Sequence, residues 1–260
     1  MTAPRWWDFT IPMDKISKDD LIKRFELAKA DKFVIGEETG TLTEYKHFQC
    51  KAHFRKPYTL NELRKYIGEY HAEPSICKDF AYCEKEGHFY RSWQGALAKY
   101  HDLDLRPWQG EVVAELCDQG EREISVILDR DGNRGKSYLA KHLVVKYNFA
   151  YVPAMPNFED YMFMAMAHPN AKGFIFDIPR ADNSEQAKAM WCAMETIKNG
   201  YLYDKRYTFT EKWVEPPKML VFTNDKPPSN MLSADRWRIF EIQRDKWENT
   251  DHLERWREDI

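Results

Sequence analysis

Three polar side chains early in the sequence have the types and spacing of a divalent-metal site. His47 and Gln49 lie two residues apart where apolar and polar residues alternate, so both side chains should leave one face of a strand. Glu38 ends the preceding predicted strand and is expected to reach that face. A carboxylate, an imidazole and an amide oxygen suit Mg²⁺ or Mn²⁺, with a substrate phosphate completing the shell. By itself, a His-x-Gln pair on a strand is more often only a polar face.

A tyrosine and a lysine further along could form a nucleophilic site. Tyr82 and Lys85 are one turn apart in a short helix predicted over residues 78–86, closed by Gly87, and should share a face. A tyrosine hydroxyl can attack phosphorus and form a phosphotyrosine, while a lysine or a metal ion stabilises charge on the phosphate oxygens. The alternative is a solvated edge of an amphipathic helix.

A glycine-containing loop over residues 129–137, which we call the phosphate loop, lies between a predicted strand and a predicted helix. This arrangement is typical of phosphate binding. Lys136 would contact the terminal phosphates of ATP and Ser137 would bind Mg²⁺, while backbone N–H groups hold the other phosphate oxygens. The residues of this candidate ATP site are Gly132, Asn133, Arg134, Gly135, Lys136 and Ser137. Arg130 stands where G-x-x-x-x-G-K-[ST] has its first glycine, which leaves the affinity for ATP open.

Residues at the ends of later apolar runs could complete this nucleotide site. Asp177 could lie near the Mg²⁺ of the nucleotide, and Asn224 could contact the γ-phosphate or its attacking water. Arg236, or Arg238 as the alternative, could act as an arginine finger on the nucleotide of a neighbouring subunit.

The elements that must position these residues begin with short strands mixed with helices. Strands are predicted over residues 7–11, 33–36 and 46–54, and helices after the N-cap residues Ser17 and Thr59. This pattern extends to about residue 100.

From about residue 105 strands and helices alternate, which favours a three-layer α/β domain. Helices are predicted over 107–118, from 137 to about 146 and from 184, and strands over 123–128, up to 177 and over 219–222. A charged amphipathic helix is predicted over 247–260. We place the boundary between residues 95 and 107, which gives domains of residues 1–100 and 101–260.

The composition excludes several classes of protein. The 260 residues carry a formal net charge of -3, and 43% are hydrophobic and 31% charged, which favours packed domains over disorder. The chain has no apolar run of about 18 residues, so we expect no membrane span. The N-terminus lacks the apolar core of a signal peptide. The five cysteines form no C-x-x-C pair, which disfavours a zinc finger or a disulfide framework and fits a reducing intracellular setting.

Because the net charge is near neutral, nucleic-acid binding would have to come from local basic patches. One patch surrounds the strand predicted over residues 46–54, which carries His47 and Gln49. His53 and Phe54 of this strand are candidates for base stacking. Another lies on a hairpin predicted over residues 201–214. The candidate DNA-binding residues are Lys51, Arg55, Lys56, Lys205, Arg206 and Lys212. An ordinary charged surface is the alternative for both patches.

Taken together and in this order, three segments resemble the rolling-circle motifs of replication-associated (Rep) proteins of viruses with circular single-stranded DNA genomes, including circoviruses, geminiviruses and smacoviruses. The segments are Trp7–Pro12, Gly36–Glu38 with His47–Gln49, and Tyr82–Gly87. The resemblance implies an N-terminal α+β endonuclease domain of the two-histidine (HUH) type, built on an antiparallel sheet with helices.

The same resemblance implies roles for single residues. The metal ligands would be Glu38, His47 and Gln49, with the amide replacing a second histidine as in the circovirus-like branch. Tyr82 would be the nucleophile and Lys85 would help to position the phosphate. Glu37 is the alternative to Glu38, although the nine-residue spacing to His47 favours Glu38.

The second half is similar to the superfamily 3 helicase domain that follows the endonuclease in Rep proteins, an α/β P-loop fold of the AAA+ type. The resemblance covers the chain from Trp7 to about Ile242. Many relatives carry a second acid after the aspartate of the apolar run, but here Ile178 follows Asp177. The residue that would orient the hydrolytic water is therefore not identified.

The resemblance implies a viral replication initiator that nicks and rejoins single-stranded, stem-loop origin DNA through Tyr82. The enzyme would stay on the 5′-phosphate, release a 3′-hydroxyl primer and later close the circle. ATP with Mg²⁺ would drive 3′-to-5′ unwinding by a homo-hexamer, and Mg²⁺ or Mn²⁺ would serve the nuclease. The host nucleus is the implied location for a eukaryotic virus, host replication proteins are further implied partners, and no membrane is involved.

Other functions remain open at this stage. An origin-binding repressor or assembly protein with a degenerate ATPase would explain the altered phosphate loop and the missing second acid. A plasmid-type initiator or transposase relative is a further alternative, which the fused helicase motifs disfavour.

Overall fold

The computed structural model describes residues 3–40, 44–178, 184–206, 208–227, 231–244 and 251–255, with only the backbone described for residues 184–186. It divides into two compact units, Met1–Ala98 and Lys99–Ile260. None of the helices in the described ranges combines the length and the apolar character needed to cross a bilayer.

The first unit has an α+β fold built on a five-stranded antiparallel sheet in the order β4-β1-β3-β2-β5. Its elements are β1 (Trp6–Pro12), α1 (Lys18–Leu27), β2 (Ala30–Thr39), β3 (Lys46–Phe54), α2 (Leu60–Ile67), β4 (His71–Pro74) and β5 (Phe89–Arg91). The strands and helix starts predicted from the pattern are confirmed.

Local capping explains where the helices of this unit begin. The Ser17 hydroxyl accepts a hydrogen bond from the amide of Asp20 at 3.1 Å. Thr59 and Glu62 form a reciprocal capping box. The second helix ends at Ile67, because the following Gly68 takes a φ of +112°.

One face of the sheet forms the core of this unit. Phe9, Phe33 and Phe54 point to that face and pack with Leu21 and Phe25 of α1. Because side chains alternate along a strand, the polar residues of β3 leave the opposite face. The candidate metal ligands lie on this second face.

The helix predicted over residues 78–86 is wrong. Only Ala81–Glu84 is helical, as a single 3₁₀ turn that we call the tyrosine turn. The Asp79 carboxylate accepts a hydrogen bond from the Ala81 amide at 3.1 Å, and Gly87 leaves the helical region with a φ of +79°. The helical segment is therefore limited to one turn at both of its ends.

The second unit contains a six-stranded sheet in the order β13-β12-β6-β11-β8-β7, in which only the β12–β13 pair is antiparallel. Its strands are β6 (Ile124–Leu128), β7 (Phe149–Val152), β8 (Gly173–Asp177), β11 (Lys218–Thr223), β12 (Trp237–Arg244) and β13 (Asp251–Arg255). Its helices are α3 (Pro107–Asp118), α4 (Lys136–Tyr147), α5 (Phe158–Ala167) and α6 (Ser184–Lys198). Strands β9 (Tyr201–Asp204) and β10 (Thr210–Trp213) form the expected hairpin. Further 3₁₀ segments lie at Ser92–Tyr100 and Ala234–Arg236.

The sequence pattern missed some of these elements. It did not predict β7, α5 or β12. The helix predicted over 247–260 is wrong for residues 251–255, which pair with β12 as a strand, and its other residues lie outside the described ranges. Pairing with β12 satisfies backbone groups that a charged terminal segment would otherwise satisfy by forming a helix.

Candidate functional site

Glu38 and His47 are directly opposite each other on β2 and β3. His47 Nε2 lies 3.6 Å from Glu38 Oε2, and the Glu38 side chain is only 8% exposed. Its second oxygen, Oε1, is buried without a hydrogen-bond partner. Glu37 leaves the other face, where its carboxylate pairs with Lys18 at 2.8 Å. Of the two glutamates, Glu38 is therefore the one beside His47.

Gln49 follows His47 on the same face of β3, and its side-chain oxygen accepts a hydrogen bond from the Thr10 hydroxyl at 3.1 Å. No group of three or more His, Cys, Asp or Glu side chains within the described residues could hold a metal ion. A metal here would therefore need the amide of Gln49 beside the carboxylate and the imidazole. These donors, and the unpartnered oxygen of Glu38, fit Mg²⁺ or Mn²⁺.

The tyrosine turn brings the candidate nucleophile to this group. The Tyr82 side chain is 57% exposed, and Lys85 Nζ lies 4.0 Å from the centre of its ring. The same ammonium lies 3.0 Å from Glu38 Oε2. Partial burial lowers the pKa of Lys85, but hydrogen bonds to Tyr82 and Glu38 outweigh it and leave the pKa above its usual value. Lys85 is therefore a cation that links the tyrosine to the carboxylate.

Tyr90, the next tyrosine along the chain, lies on the core side of the sheet. It is opposite Ile35 in the register of β5, and its ring packs 6.0 Å from that of Phe33. Burial raises its pKa. Of these two tyrosines, only Tyr82 combines exposure with contact to Lys85.

Gly36 is a residue whose role the sequence did not reveal. It stands opposite Gln49 on β2, and a Cβ at this position would overlap the carbonyl oxygen of Cys83. The absence of a side chain therefore lets the tyrosine turn lie directly on the sheet. A glycine inside a strand pattern is a signal of such close backbone approach.

The basic patch near β3 differs from the expectation. Lys51 is only 4% exposed, and its ammonium contacts Asp8 at 3.0 Å, Ser75 at 2.6 Å and the carbonyl of Cys77 at 2.9 Å. The assignment of Lys51 to DNA contact is therefore corrected, because its charge is used inside the unit. Arg55 and Lys56 are exposed at the end of β3.

The two base-stacking candidates, His53 and Phe54, differ in their exposure. Phe54 is fully buried in the core, so it is not available to a base. The ring of His53 lies 4.7 Å from that of Trp6, and its Nδ1 lies 2.7 Å from a carboxylate oxygen of Asp31.

The phosphate loop of the second unit has the backbone that its sequence favours. Gly132, Asn133 and Gly135 have φ values of +79°, +59° and +95°, and α4 begins at Lys136. The Asp129 carboxylate accepts a hydrogen bond from the Gly132 amide at 2.8 Å. Ser137 is exposed in the first turn of the helix, where free N–H groups can face an anion.

Lys136 links this loop to the neighbouring strand. Its ammonium lies 3.3 Å from Asp129 Oδ2 and donates to Asn224 Oδ1 at 3.1 Å. Asp177 ends the next strand, β8, and accepts a hydrogen bond from the Tyr151 hydroxyl at 3.1 Å. Burial, and then the charge of Asp177, raise the pKa of Tyr151 to about 12. Asp177 ends β8, Asn224 follows β11 and Lys136 begins the helix after β6. All three are therefore on the side of the carboxyl ends of the parallel strands, where α/β folds bind ligands.

A cavity of about 490 Å³ adjoins the phosphate loop. It is lined by Arg106, Pro107, Asp131, Gly132, Asn133, Arg134, Arg244 and Asp251. Arg134 donates to Asp251 at 2.6 Å and also to Asp131. Strand β13, which the sequence pattern missed, therefore contributes Asp251 to the lining of this cavity.

The arginine-finger assignment is corrected. Arg236 is only 3% exposed and donates to Asn199 at 3.0 Å, so its guanidinium is not available to a neighbouring subunit. Arg238 is held by Glu123 at 2.9 Å and by Glu115 at 2.5 Å. Both arginines are thus used within the second unit.

The three candidate DNA-binding cations of the hairpin are exposed, and two of them also form ion pairs. Lys205 pairs with Glu159 at 2.9 Å, and Arg206 pairs with Asp204 at 3.2 Å while its guanidinium lies over the ring of Phe163. Lys212 is exposed on β10.

Known relatives of this chain are replication proteins. No protein-family model matches it. It is 28% identical over 284 aligned residues to Para-Rep C1 of Faba bean necrotic yellows C11 alphasatellite, across 90% of this chain and 98% of that protein. It is 34% identical to Para-Rep C6 of Subterranean clover stunt C6 alphasatellite, across 53% of this chain and 48% of that protein. It is 30% identical to the Master replication protein of Faba bean necrotic yellows virus (isolate Syrian SV292-88), across 59% of this chain and 53% of that protein. The chain thus spans nearly all of the first relative and about half of the other two.

Proposed function

We propose that this chain, which is homologous to the Rep proteins of circular single-stranded DNA viruses, starts viral DNA replication by nicking one DNA strand through Tyr82. The observation that carries the proposal is the grouping of Tyr82, Lys85, Glu38 and His47 on one sheet face. This is the combination of nucleophile, cation and metal donors that transfer of a phosphodiester to tyrosine requires.

In the proposed reaction, the Tyr82 oxygen attacks the phosphorus of the scissile phosphodiester. The phosphotyrosine bond forms as the bond to the 3′-oxygen breaks, the tyrosine proton passes to solvent, and the 3′-oxygen leaves as a hydroxyl after gaining a proton. Mg²⁺ or Mn²⁺ held by Glu38, His47 and Gln49 would supply charge neutralisation at the phosphate. Lys85 stabilises negative charge on the tyrosine and the phosphate oxygens, since a lysine ammonium is protonated near neutral pH. Attack by a 3′-hydroxyl reverses the step and rejoins DNA.

We further propose that the second unit binds and hydrolyses ATP to unwind DNA, as a homo-hexamer. Support comes from the phosphate loop at the N-terminus of α4 and from the adjoining cavity, whose volume suits a nucleotide. ATP would replace Asp129 and Asn224 as the main partner of Lys136. Asp177 ends the strand that pairs with β11, and in this proposal it takes part in binding the Mg²⁺ of the nucleotide.

A second candidate function is favoured by the state of the arginines. Arg236 and Arg238 are both engaged inside the unit, and Ile178 follows Asp177. A Rep relative with a degenerate ATPase, acting as an origin-binding assembly protein, would show these features. ATP turnover measured with and without single-stranded DNA separates this candidate from the helicase.

The test of the nicking function is covalent capture of DNA. The full chain is incubated with labelled circular single-stranded origin DNA and Mn²⁺, and the linked residue is mapped by mass spectrometry. We expect linkage at Tyr82, loss of cleavage by at least about 1,000-fold in Tyr82→Phe, and unchanged DNA binding, because only the attacking oxygen is removed.

Tyr90→Phe is the matched control and should cleave at the parent rate, since Tyr90 lies on the core side of the sheet. Undiminished cleavage by Tyr82→Phe, or linkage at another residue, would show that Tyr82 is not the nucleophile.

A further inference from the structure

We propose that a buried ion pair between Glu84 and Arg91 positions Tyr82 for attack without contacting DNA; this inference rests on the proposed nicking function. Arg91 Nε donates to Glu84 Oε1 and Arg91 Nη2 donates to Glu84 Oε2, both at 2.7 Å. The two side chains are 8% and 9% exposed. A guanidinium and a carboxylate joined by two parallel hydrogen bonds have one preferred relative orientation, which a lysine could not impose.

The location of the pair gives it control over the tyrosine turn. Glu84 is the last residue of the turn, two residues after Tyr82 and one before Lys85. Arg91 is on β5, opposite Val34 of β2, and therefore on the same sheet face as Glu38. The pair thus ties the turn to the sheet that carries the candidate metal ligands.

The turn is attached at two further points. At its start, the ring of Phe80 packs between those of Trp6 at 5.4 Å and Trp93 at 5.0 Å. At its middle, the carbonyl of Cys83 rests on Gly36. Ring packing and a backbone contact restrict the rotation of the turn about its own axis only loosely. The two hydrogen bonds between Arg91 and Glu84, at the end of the turn, restrict this rotation more tightly.

A four-residue turn has little stability of its own, so its place depends on these attachments. An exposed nucleophile has few contacts that could hold it directly, and Tyr82 is exposed. A displacement of about 1 Å at a reacting atom can lower a rate by about 100-fold. Burying two charges is, by contrast, a poor way to gain stability, because an apolar pair of similar volume often stabilises equally well. The geometry therefore points to orientation as the purpose of the pair.

The test compares Glu84→Gln and Arg91→Lys with the parent full chain in single-turnover cleavage of single-stranded DNA. Glu84→Gln keeps an acceptor for Arg91, while Arg91→Lys keeps the charge but loses the paired donors. We expect the cleavage rate constant to fall by about 10-fold or more in both, with DNA affinity within about 2-fold of the parent. Glu86→Gln is the matched control, because Glu86 is exposed in the same segment and loses the same charge.

A second measurement reports position directly. Hydrogen exchange at the amides of Cys83 and Gly87, which donate to Phe80 and Glu84 at 3.0 Å, should become faster in both variants and stay unchanged in Glu86→Gln. Parent-like cleavage and exchange in Glu84→Gln and Arg91→Lys would overturn the proposal. So would a loss confined to DNA affinity, or a loss that follows global unfolding seen by circular dichroism. If the parent chain fails to cleave, the proposed function itself is wrong, and the exchange measurement alone decides whether the pair holds the turn.

Discussion

At the scale of single residues, the candidate nuclease site is organised by charge. Lys85 lies beside the Glu38 carboxylate, so the site holds a cation even without a metal ion. The remaining oxygen of Glu38 is buried and unpartnered, which costs free energy unless another donor or a metal ion binds it. Glu38 is therefore the residue at which metal binding should be most sensitive to substitution.

The two adjacent glutamates provide a matched test of this assignment. Glu38→Gln should reduce Mn²⁺-dependent cleavage by about 100-fold, because it removes the charged ligand. Glu37→Gln removes the same charge from the other sheet face, where Glu37 pairs with Lys18, and should stay within about 2-fold of the parent. The measurement is cleavage of single-stranded DNA as a function of Mn²⁺ concentration. Equal effects of the two substitutions would contradict the site.

At the scale of elements, close approach between a turn and a strand decides where the candidate nucleophile, Tyr82, lies. Cys83 rests on Gly36, and the candidate catalytic residues Tyr82 and Lys85 lie in or next to the same turn. The same principle operates in the second unit, where α4 begins directly after the phosphate loop and brings Lys136 to Asn224 of the next strand.

Gly36→Ala should displace the tyrosine turn. The added methyl group overlaps backbone atoms of Cys83, which cannot move aside as a flexible side chain would. We expect a loss of stability of about 1–3 kcal/mol and a loss of cleavage larger than this destabilisation explains. Urea unfolding and single-turnover cleavage are the measurements.

The control for that substitution is Gly110→Ala in α3, where an added Cβ meets no atom within 4 Å. It should raise stability by about 0.5–1 kcal/mol, since alanine favours a helix interior over glycine. Parent-like cleavage by Gly36→Ala would show that the turn tolerates displacement.

The last residue of α6 predicts a pH dependence of stability. Lys198 is buried, and its ammonium donates to Gln119 and to the carbonyl of Pro217, both at 3.0 Å. Burial, and then the charge of Lys218, lower its pKa from 10.5 to about 8. Between about pH 8 and pH 10.5, Lys198 is protonated in the unfolded chain but has lost its proton in the folded chain. The contribution of Lys198 to the free energy of unfolding therefore rises with pH in this range.

Lys198→Met removes this titration. Its stability relative to the parent should therefore fall as the pH rises from about 7 to about 10, which urea unfolding at several pH values measures. Lys188→Met on the same helix is the control and should show no such drift, because Lys188 is exposed. A constant difference between Lys198→Met and the parent would argue against a lowered pKa.

At the scale of the whole molecule, the two units have separate cores and separate candidate sites. Tyr82 and its neighbours lie in the first unit, and the phosphate loop lies in the second. Each site can therefore be inactivated without changing the residues of the other.

Lys136→Ala should abolish ATP hydrolysis and duplex unwinding, because it removes the charge that stabilises the terminal phosphates. Nicking of DNA that is already single-stranded should stay within about 2-fold of the parent, since transfer to Tyr82 needs no ATP. Lys146→Ala is the control, an exposed lysine near the other end of α4. Loss of nicking in a folded Lys136→Ala variant would show that the units are coupled.

Elements with strong local signals are predicted correctly from the sequence alone. Strand β3 has the predicted bounds because its alternation requires one buried and one polar face. Helices α1 and α2 begin at their capping residues, and α3 has the predicted bounds with proline in its first turn. The sequence also predicts that Glu38 reaches the face of His47, with Glu37 as the alternative, and the register places Glu38 opposite His47. The role of Glu38 and His47 as metal ligands stays a prediction.

Tertiary contacts define which charged residues are exposed and how the candidate nucleophile is held. Lys51 and Arg236 read as surface cations in the sequence, yet partners distant in sequence bury both of them. The helix predicted around Tyr82 is a single turn, and its contacts with Gly36 and Arg91 define its place on the sheet. Burial and pairing depend on which segments meet in space, and neither composition nor periodicity contains that information.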